Sequence, residues 1–286
     1  MLNETKLAFI GSGTMAEAMI KVLLDKALIP PKQIIGSGPR EERGQELRDR
    51  YGIEATTNNR EAARTADIVV LSVKPQVLPP VLTELQGRIM PDALVLSIVA
   101  GRTMSTIATG LEHAAIVRAM PNTPAQIGEG MTVWTATPAV DQRQRSQAQA
   151  ILRAMGQEIY VAEERALDMA TAVSGTGPTY VFLMMEAMID AAVHLGFSRR
   201  VAKALVLQTV LGAALFARQS KKHLAELRNM VTSPGGTSAD AIYQLEKGSL
   251  RTILSKAIWA AYQKSLLLGE QNNIRSPERE LPLDES

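Results

Sequence analysis

The sequence predicts an α/β domain with a doubly wound, Rossmann-type sheet, followed by an all-α domain. Three observations predict it. A short apolar run, Leu7-Ala8-Phe9-Ile10, leads straight into Gly11-Ser12-Gly13-Thr14-Met15-Ala16 and then into a helical pattern. Strand-like and helix-like segments alternate as far as Val161, which argues for a parallel sheet. After Ala162 the strand signals stop and every segment carries a helical pattern.

The strand segments are 6–10, 33–36, 68–73, 94–100, 115–120, 131–135 and 158–161. Runs such as Ile68-Val69-Val70-Leu71 suit strands buried on both faces. Helices are expected at 14–25, 41–51, 77–86 and 141–155, then at 167–172, 180–195, 199–219, 224–229, 239–246 and 250–268. Segments 180–195 and 201–216 are apolar on most faces, and a domain this small has little interior to hide them. They are therefore expected to interdigitate in a homodimer. The domains are expected at 1–163 and 164–272, with a polar, proline-containing tail, 273–286, expected to be disordered.

Composition excludes several functions. A net charge of +2 gives no electrostatic case for nucleic acid or membrane binding. Arg199-Arg200 and Lys221-Lys222 are short enough to be solvated faces. The absence of cysteine excludes disulfides, thiolate metal sites and cysteine nucleophiles. His113, His194 and His223 lack metal-ligand spacing, so no metal is expected. No signal peptide is evident at the first residues, and no apolar run reads as long enough to cross a membrane. A cytoplasmic protein is the default expectation.

The pattern Gly-x-Gly-x-x-Ala in a strand–turn–helix setting is a dinucleotide fingerprint. Gly11 permits the tight turn, Gly13 lets the backbone approach a pyrophosphate, and Ala16 allows close helix–strand packing. An acidic residue that holds the ribose 2′-hydroxyl usually ends the next strand. Here Gly36 and Ser37 stand in its place, and Ser37, Arg40 and Arg43 can bond a 2′-phosphate instead. NADPH is therefore the expected cofactor, with NADH as an alternative. Glu17, in the first helical turn, suits the helix dipole and is given no catalytic role.

A second glycine-rich turn lies far downstream, at Met230-Val231-Thr232-Ser233-Pro234-Gly235-Gly236-Thr237-Ser238-Ala239-Asp240. It presents backbone N–H groups and hydroxyls where a helix begins, which suits a small carboxylate. An ordinary capped loop explains the turn equally well when it is taken alone.

Taken in order, the motifs resemble the pyrroline-5-carboxylate reductase family. The resemblance runs from Lys6 to about Leu268. It rests on Ile10–Ala16, Val73-Lys74-Pro75, Ala100-Gly101, Arg118-Ala119-Met120-Pro121-Asn122-Thr123-Pro124, Ser174-Gly175-Thr176-Gly177-Pro178-Thr179-Tyr180 and Ser233–Ser238. It implies a Rossmann domain followed by a helical dimerisation domain like that of 6-phosphogluconate dehydrogenases. It also implies reduction of Δ1-pyrroline-5-carboxylate to L-proline, the last step of proline biosynthesis, and a homodimer that assembles further into a decamer of dimers.

Residue pattern and resemblance together assign cofactor contacts to Gly11, Ser12, Gly13, Thr14, Met15, Ser37, Arg40, Asn59, Val73, Lys74, Pro75, Ala100, Gly101 and Asn122. Substrate contacts fall to Met120, Gly177, Pro178, Val231, Ser233, Gly235, Gly236, Thr237 and Ser238. Ser238, as a hydrogen-bond donor, and Lys74 are the catalytic candidates. The family pattern usually has threonine where this chain has Ser238, so the hydroxyl is kept and the methyl that restricts its rotamer is lost.

The chemistry agrees with an imine substrate. An iminium already carries its proton, so hydride transfer needs orientation more than a side-chain acid. No lysine lies between Lys74 and Lys203, whereas related hydroxy-acid dehydrogenases carry a catalytic lysine on the helix matching Pro178–Met185. Two alternatives stay open: a reductase for another small imine, such as piperideine carboxylate, and a non-enzymatic NADPH-binding regulator.

Overall fold

The computed structural model describes Leu2 and residues 4–274, with side-chain surroundings as far as Leu268. It divides into two compact units: Met1–Thr176 with the segment that begins at Ala261, and Gly177–Ala260.

The first unit is built on an eight-stranded sheet. Its strands are β1 (Leu7–Ile10), β2 (Ile34–Ser37), β3 (Glu54–Thr56), β4 (Ile68–Leu71), β5 (Leu94–Ser97), β6 (Ile116–Met120), β7 (Gly130–Ala136) and β8 (Gly156–Tyr160). Their order is β3-β2-β1-β4-β5-β6-β7-β8. The strands from β3 to β6 run parallel, as expected, but β7 is antiparallel to β6 and β8 parallel to β7. The reversal follows from connection length. Only a short 3-10 turn around Thr123–Ile127 separates β6 from β7, too little chain for a parallel crossover.

Helices α1 (Thr14–Asp25), α2 (Glu41–Tyr51), α3 (Asn59–Ala63), α4 (Leu78–Leu85), α5 (Met104–Leu111) and α6 (Gln142–Ala154) cover the two faces. Strand alternation sorts the core. Leu7, Phe9, Val70, Leu96 and Val117 pack with Met19, Leu23, Leu47 and Ile151 on one side. Ala8, Ile10, Val69, Leu71, Val95 and Ile116 pack with Ala62, Leu82 and Ile107 on the other. Each buried aliphatic side chain contributes about 1.5–3 kcal/mol. A capping box starts α6: Asp141 accepts from the Gln144 N–H at 2.6 Å, and Gln144 accepts from the Asp141 N–H at 3.0 Å.

Three elements escape the periodicity. β3 is a short edge strand with no apolar run. α3 is a single turn and a half fixed by its Asn58 cap, which accepts from the N–H groups of Arg60 and Glu61. α5 begins at a Thr103 cap and is short for a periodic pattern. β4 and β5 stop before residues 73 and 100, so Val73 and Ala100 lie in loops.

Next come α7 (Ala166–Ala170), a π-turn over Thr171–Gly175, α8 (Gly177–His194), α9 (Arg199–Gln219), α10 (Leu224–Met230), α11 (Thr237–Lys247) and α12 (Leu250–Ile274). The compact division falls at Thr176, later than residue 163, because α7 packs on β6 and β7 and the π-turn packs on β7. α12 continues through Ile274, past the expected limit at 272, and the rest of the expected tail lies outside the described residues.

α9 corrects one expectation, since by length and composition it is apolar enough to cross a membrane. Its surroundings give a different reason for that composition. Phe182, Leu183, Leu195, Phe216 and Trp259 are all more than half exposed on the single chain. Helices apolar on several faces need another protein surface to cover them.

Candidate active site

The carboxyl ends of β1, β4, β5 and β6 form a continuous row of loops at one edge of the sheet, where open α/β sheets bind ligands. Gly11 sits at φ +103°, and a Cβ there would lie 2.8 Å from the backbone of Ser72 and Val73. Ser72 Oγ donates to the Gly11 carbonyl at 2.8 Å, which pins this turn to the end of β4. Gly13 caps α1 without any side-chain bond, and a Cβ there would meet nothing within 4 Å. The first N–H groups of α1, from Thr14 and Met15 onward, therefore lie at an open, uncapped helix N-terminus. That fits a dinucleotide pyrophosphate.

The end of β2 abuts this turn, since the Gly11 N–H donates to the Ser37 carbonyl at 2.9 Å. Ser37 is fully buried, and its hydroxyl donates to Asn59 Oδ1 at 2.7 Å. Asn59 Nδ2 donates in turn to Glu84 at 2.8 Å. The Ser37 hydroxyl, expected to bond a 2′-phosphate, gives its hydrogen bond to Asn59. Ser37 is buried at the sheet end and Asn59 half-buried, and their mutual bond satisfies polar groups that would otherwise be left without partners there. Arg40, at the start of α2, is exposed.

Arg43 is committed to protein acceptors. Its Nε donates to the Ser12 carbonyl at 3.1 Å, one NH2 group pairs with Glu46 at 2.8 Å, and the other pairs with Glu17. The second oxygen of Glu17 accepts from Arg50 at 2.5 Å and from the Tyr51 hydroxyl at 2.9 Å. Burial raises the Glu17 pKa, but the bonds from Arg43, Tyr51 and Arg50 outweigh it and hold the carboxyl below its ordinary value.

The β4 and β5 loops are tied together by Arg102, which the sequence reading missed. Its side chain is 4% exposed and donates to the Pro75 carbonyl at 2.9 Å. Burial lowers its pKa. It follows Gly101, whose φ is +64°, and a lone arginine beside that glycine was the available signal. Val73 and Pro75 are half-buried, Lys74 is exposed, and Ala100 and Gly101 line the adjacent loop.

Asn122 follows β6. Its Oδ1 accepts from the Met131 N–H at 2.9 Å, and its Nδ2 donates to the Ser174 carbonyl at 3.1 Å. The second bond has a sequence cause. The helical donor four residues after Ser174 would be Pro178, which has no N–H. The Asn122 side chain fills that gap. Met120, half-buried, lies beside the π-turn, its methyl 3.1 Å from the Cβ position of Gly175. Arg118, 4% exposed, pairs with Glu164 at 2.9 Å and Asp168 at 3.6 Å, and Ser265 donates to Asp168 at 2.9 Å. This buried network fixes the base of the β6 loop.

In the second unit, α10 ends at Met230 and α11 starts at Thr237. Thr237 and Ser238 lie inside the first turn of α11, earlier than the expected start at residue 239. Gly235 is left-handed at φ +69°, with open space at its Cβ position. A Cβ on Gly236 would come 2.5 Å from Ser233 Oγ, so this glycine serves the loop's own packing. Gly236 caps α11 with no side-chain bond. The first N–H groups of α11 and the hydroxyls of Ser233, Thr237 and Ser238 gather at this turn, an arrangement that fits a small carboxylate. Val231 is exposed at the loop's entry, and Gly177 and Pro178 open α8. Among the described residues no group of histidine, aspartate or glutamate side chains is placed to hold a metal ion.

Two family models match the chain. One, described as pyrroline-5-carboxylate reductase dimerisation, matches residues 164–268. The other, described as NADP oxidoreductase coenzyme F420-dependent, matches residues 6–101. A pyrroline-5-carboxylate reductase of Synechocystis is 41% identical over 93% of this chain and 99% of its own length. That of Pseudomonas aeruginosa is 40% identical over 94% of this chain and 99% of its own. The chain belongs to the pyrroline-5-carboxylate reductase family.

Solved structures agree. The Plasmodium falciparum pyrroline carboxylate reductase, with NADP bound, superposes with a TM-score of 0.86 at 32% identity, covering 93% of this chain and 99% of that one. The Coxiella burnetii enzyme gives 0.86 at 38% identity, with the same coverage. A prephenate dehydrogenase from A. aeolicus shares only the fold, at 15% identity and a TM-score of 0.53.

Proposed function

We infer that this chain is an NAD(P)H-dependent oxidoreductase that reduces Δ1-pyrroline-5-carboxylate to L-proline in proline biosynthesis. The observation that carries the reading is the pair of uncapped helix N-termini, at α1 and at α11. A reductase for a small cyclic imino acid needs both, one for the dinucleotide pyrophosphate and one for the substrate carboxylate.

NADPH is the cofactor. Gly11, Gly13 and the first turn of α1 hold its pyrophosphate, and Arg40 meets its 2′-phosphate. The loops of Val73–Pro75, Ala100-Gly101 and Met120–Asn122 hold the nicotinamide end, with Arg102 and Asn122 keeping those loops in place. Bound there, the dihydronicotinamide supplies a hydride to the iminium carbon. The substrate carboxylate sits on the first turn of α11, between Ser233, Thr237 and Ser238. Ser238 Oγ donates to the substrate and orients it. The iminium nitrogen arrives protonated, so its electron pair returns to nitrogen as the C–H bond forms, and no side chain has to give up a proton. Lys74 contributes charge beside the nicotinamide loop.

The chain forms a homodimer through the second unit, whose apolar helices are otherwise exposed. A decamer of dimers and a cytoplasmic location extend this reading; light scattering of the purified protein tests the former and fractionation the latter.

The test is NADPH oxidation, followed by absorbance, with pyrroline-5-carboxylate, piperideine carboxylate and NADH in parallel arms. Fast turnover to proline with the five-membered imine is expected. An extra methylene discriminates by only ~1–3 kcal/mol, so slower turnover of the six-membered imine agrees with the reading. Preference for the six-membered imine would overturn the substrate assignment.

A further inference from the structure

We propose that Glu17 sets the discrimination between NADPH and NADH by holding Arg43 away from the 2′-phosphate, leaving that phosphate to Arg40. The proposal rests on the placement of the cofactor given above. Arg40 and Arg43 both lie at the start of α2, beside the end of β2 where the ribose 2′ position falls. Sequence pattern gives them equal standing, and the structure separates them. Each nitrogen of the Arg43 guanidinium already has a protein acceptor: the Ser12 carbonyl, Glu46 and Glu17. Its side chain is 16% exposed and that of Glu17 is 18% exposed.

The cluster of Arg43, Arg50, Glu17 and Glu46 has no net charge, so Arg43 offers a 2′-phosphate little attraction. Arg40 is exposed and bears no such pairing among the described residues. Arg43 has another task. Its bond to the Ser12 carbonyl buttresses the turn that binds the pyrophosphate, a group that NADPH and NADH share. Loss of Arg43 should therefore weaken both cofactors together, whereas loss of Arg40 should weaken only the phosphorylated one. Removing the Glu17 charge should release Arg43 toward the 2′-phosphate and sharpen the preference for NADPH.

Calorimetry on the full dimer tests this, with NADP+, NAD+ and adenosine 2′,5′-bisphosphate as probes, so that the readout is binding and not turnover. For Arg40→Gln the NADP+ to NAD+ affinity ratio is expected to fall by about tenfold or more, the scale of a lost charge-assisted contact. For Arg43→Gln both affinities are expected to fall while the ratio stays within about threefold of wild type. For Glu17→Gln the ratio is expected to rise by about tenfold, and in Glu17→Gln/Arg43→Gln that rise should vanish.

A ratio that collapses in Arg43→Gln as it does in Arg40→Gln would overturn the proposal, because Arg43 would already reach the phosphate. A gain that survives in the double variant would also overturn it, since simple repulsion by Glu17 would then be the cause. So would a Glu17→Gln ratio equal to wild type. Should Glu17→Gln fail to fold, Glu17→Asp, whose carboxylate is one methylene shorter and reaches Arg43 less well, takes its place, with a rise in the ratio expected and an unchanged ratio overturning the proposal. If Arg40→Gln leaves the ratio unchanged, the placement of the 2′-phosphate itself is wrong, a result distinct from the others.

Discussion

Gly11 and Gly13 are two residues apart in one fingerprint, yet they should fail in opposite ways when a methyl group is added. At Gly11 the backbone is left-handed at φ +103°, and the new Cβ would sit 2.8 Å from the carbonyl carbon of Ser72 and the nitrogen of Val73. Holding a non-glycine residue in a sparsely populated conformation costs about 1–3 kcal/mol. Forcing a methyl into packed backbone costs about 1–3 kcal/mol more. Gly11→Ala should thus lose about 2–6 kcal/mol, a large share of the ~5–15 kcal/mol that holds a native protein together. At about 2–4 °C per kcal/mol, Tm falls by roughly 12 °C at the middle of that range.

Gly13 has φ −80° and ψ −174°, which alanine adopts freely, and its Cβ would meet nothing within 4 Å. Gly13→Ala should lower the Tm of the cofactor-free protein by only about 2–4 °C, in keeping with the ~1 kcal/mol by which alanine is a poorer N-cap than glycine. Its methyl would instead occupy the space where the pyrophosphate meets the first turn of α1, and NADPH affinity should fall by about tenfold or more. The assay is thermal unfolding of both cofactor-free variants, paired with calorimetric NADPH binding. Wild-type NADPH affinity in Gly13→Ala would refute the placement of the pyrophosphate. A Gly13→Ala protein as unstable as Gly11→Ala would refute the geometric distinction between the two glycines.

Two further outcomes are expected. The Glu158 side chain is 7% exposed and accepts from Trp134 Nε1, Gln149 at 2.8 Å and Arg153 at 3.0 Å. Burial raises its pKa, but these bonds outweigh it and the folded value is lowered. Its stabilisation is fully present above the ordinary glutamate value of about 4.3 and is lost as the pH falls through the lower folded value. Glu158→Gln should be less stable than wild type at neutral pH, with the gap in Tm closing below about pH 4; a gap independent of pH would contradict this. Ser238→Ala should raise the substrate KM by about tenfold with Tm unchanged, while Ser238→Thr should retain wild-type KM, because the hydroxyl and not the small size carries the contact. Equal substrate kinetics in all three proteins would remove Ser238 from the site.

Much of this arrangement was legible in the sequence, for reasons that particular elements make plain. α1, α2 and α9 lie where periodicity puts them because each has strong chemical edges: glycines before α1, Gly52 after α2 and the Ser198 cap before α9. β3 and α3 were not legible because neither has a buried apolar run of its own. Their positions depend on pairing with β2 and on the Asn58 cap, which only the assembled sheet supplies. The two glycine-rich turns were legible because their function is carried by backbone. The bonding of the Ser37, Asn59 and Asn122 side chains was not legible, because which way a polar side chain turns depends on what is left unsatisfied nearby. For Asn122 the deciding residue, Pro178, is distant in sequence, and no local pattern connects the two.

The residues that escaped notice share one property: Arg102, Glu164 and Asp168 are charged, partly or wholly buried, and bonded to the backbone or side chains of segments at the carboxyl end of the sheet. Burying such groups is unfavourable unless their bonds are satisfied, so their presence needs a compensating purpose. The chemistry suggests one. A reaction whose substrate arrives protonated asks the protein for no acid or base, and rate then depends on how closely hydride donor and acceptor are held. Loops on a sheet edge are the least rigid part of such a fold. Such a reaction asks no side chain for a proton, and Arg102, by bonding the β5 loop to the Pro75 carbonyl of the β4 loop, ties together two of the segments on which that distance would depend.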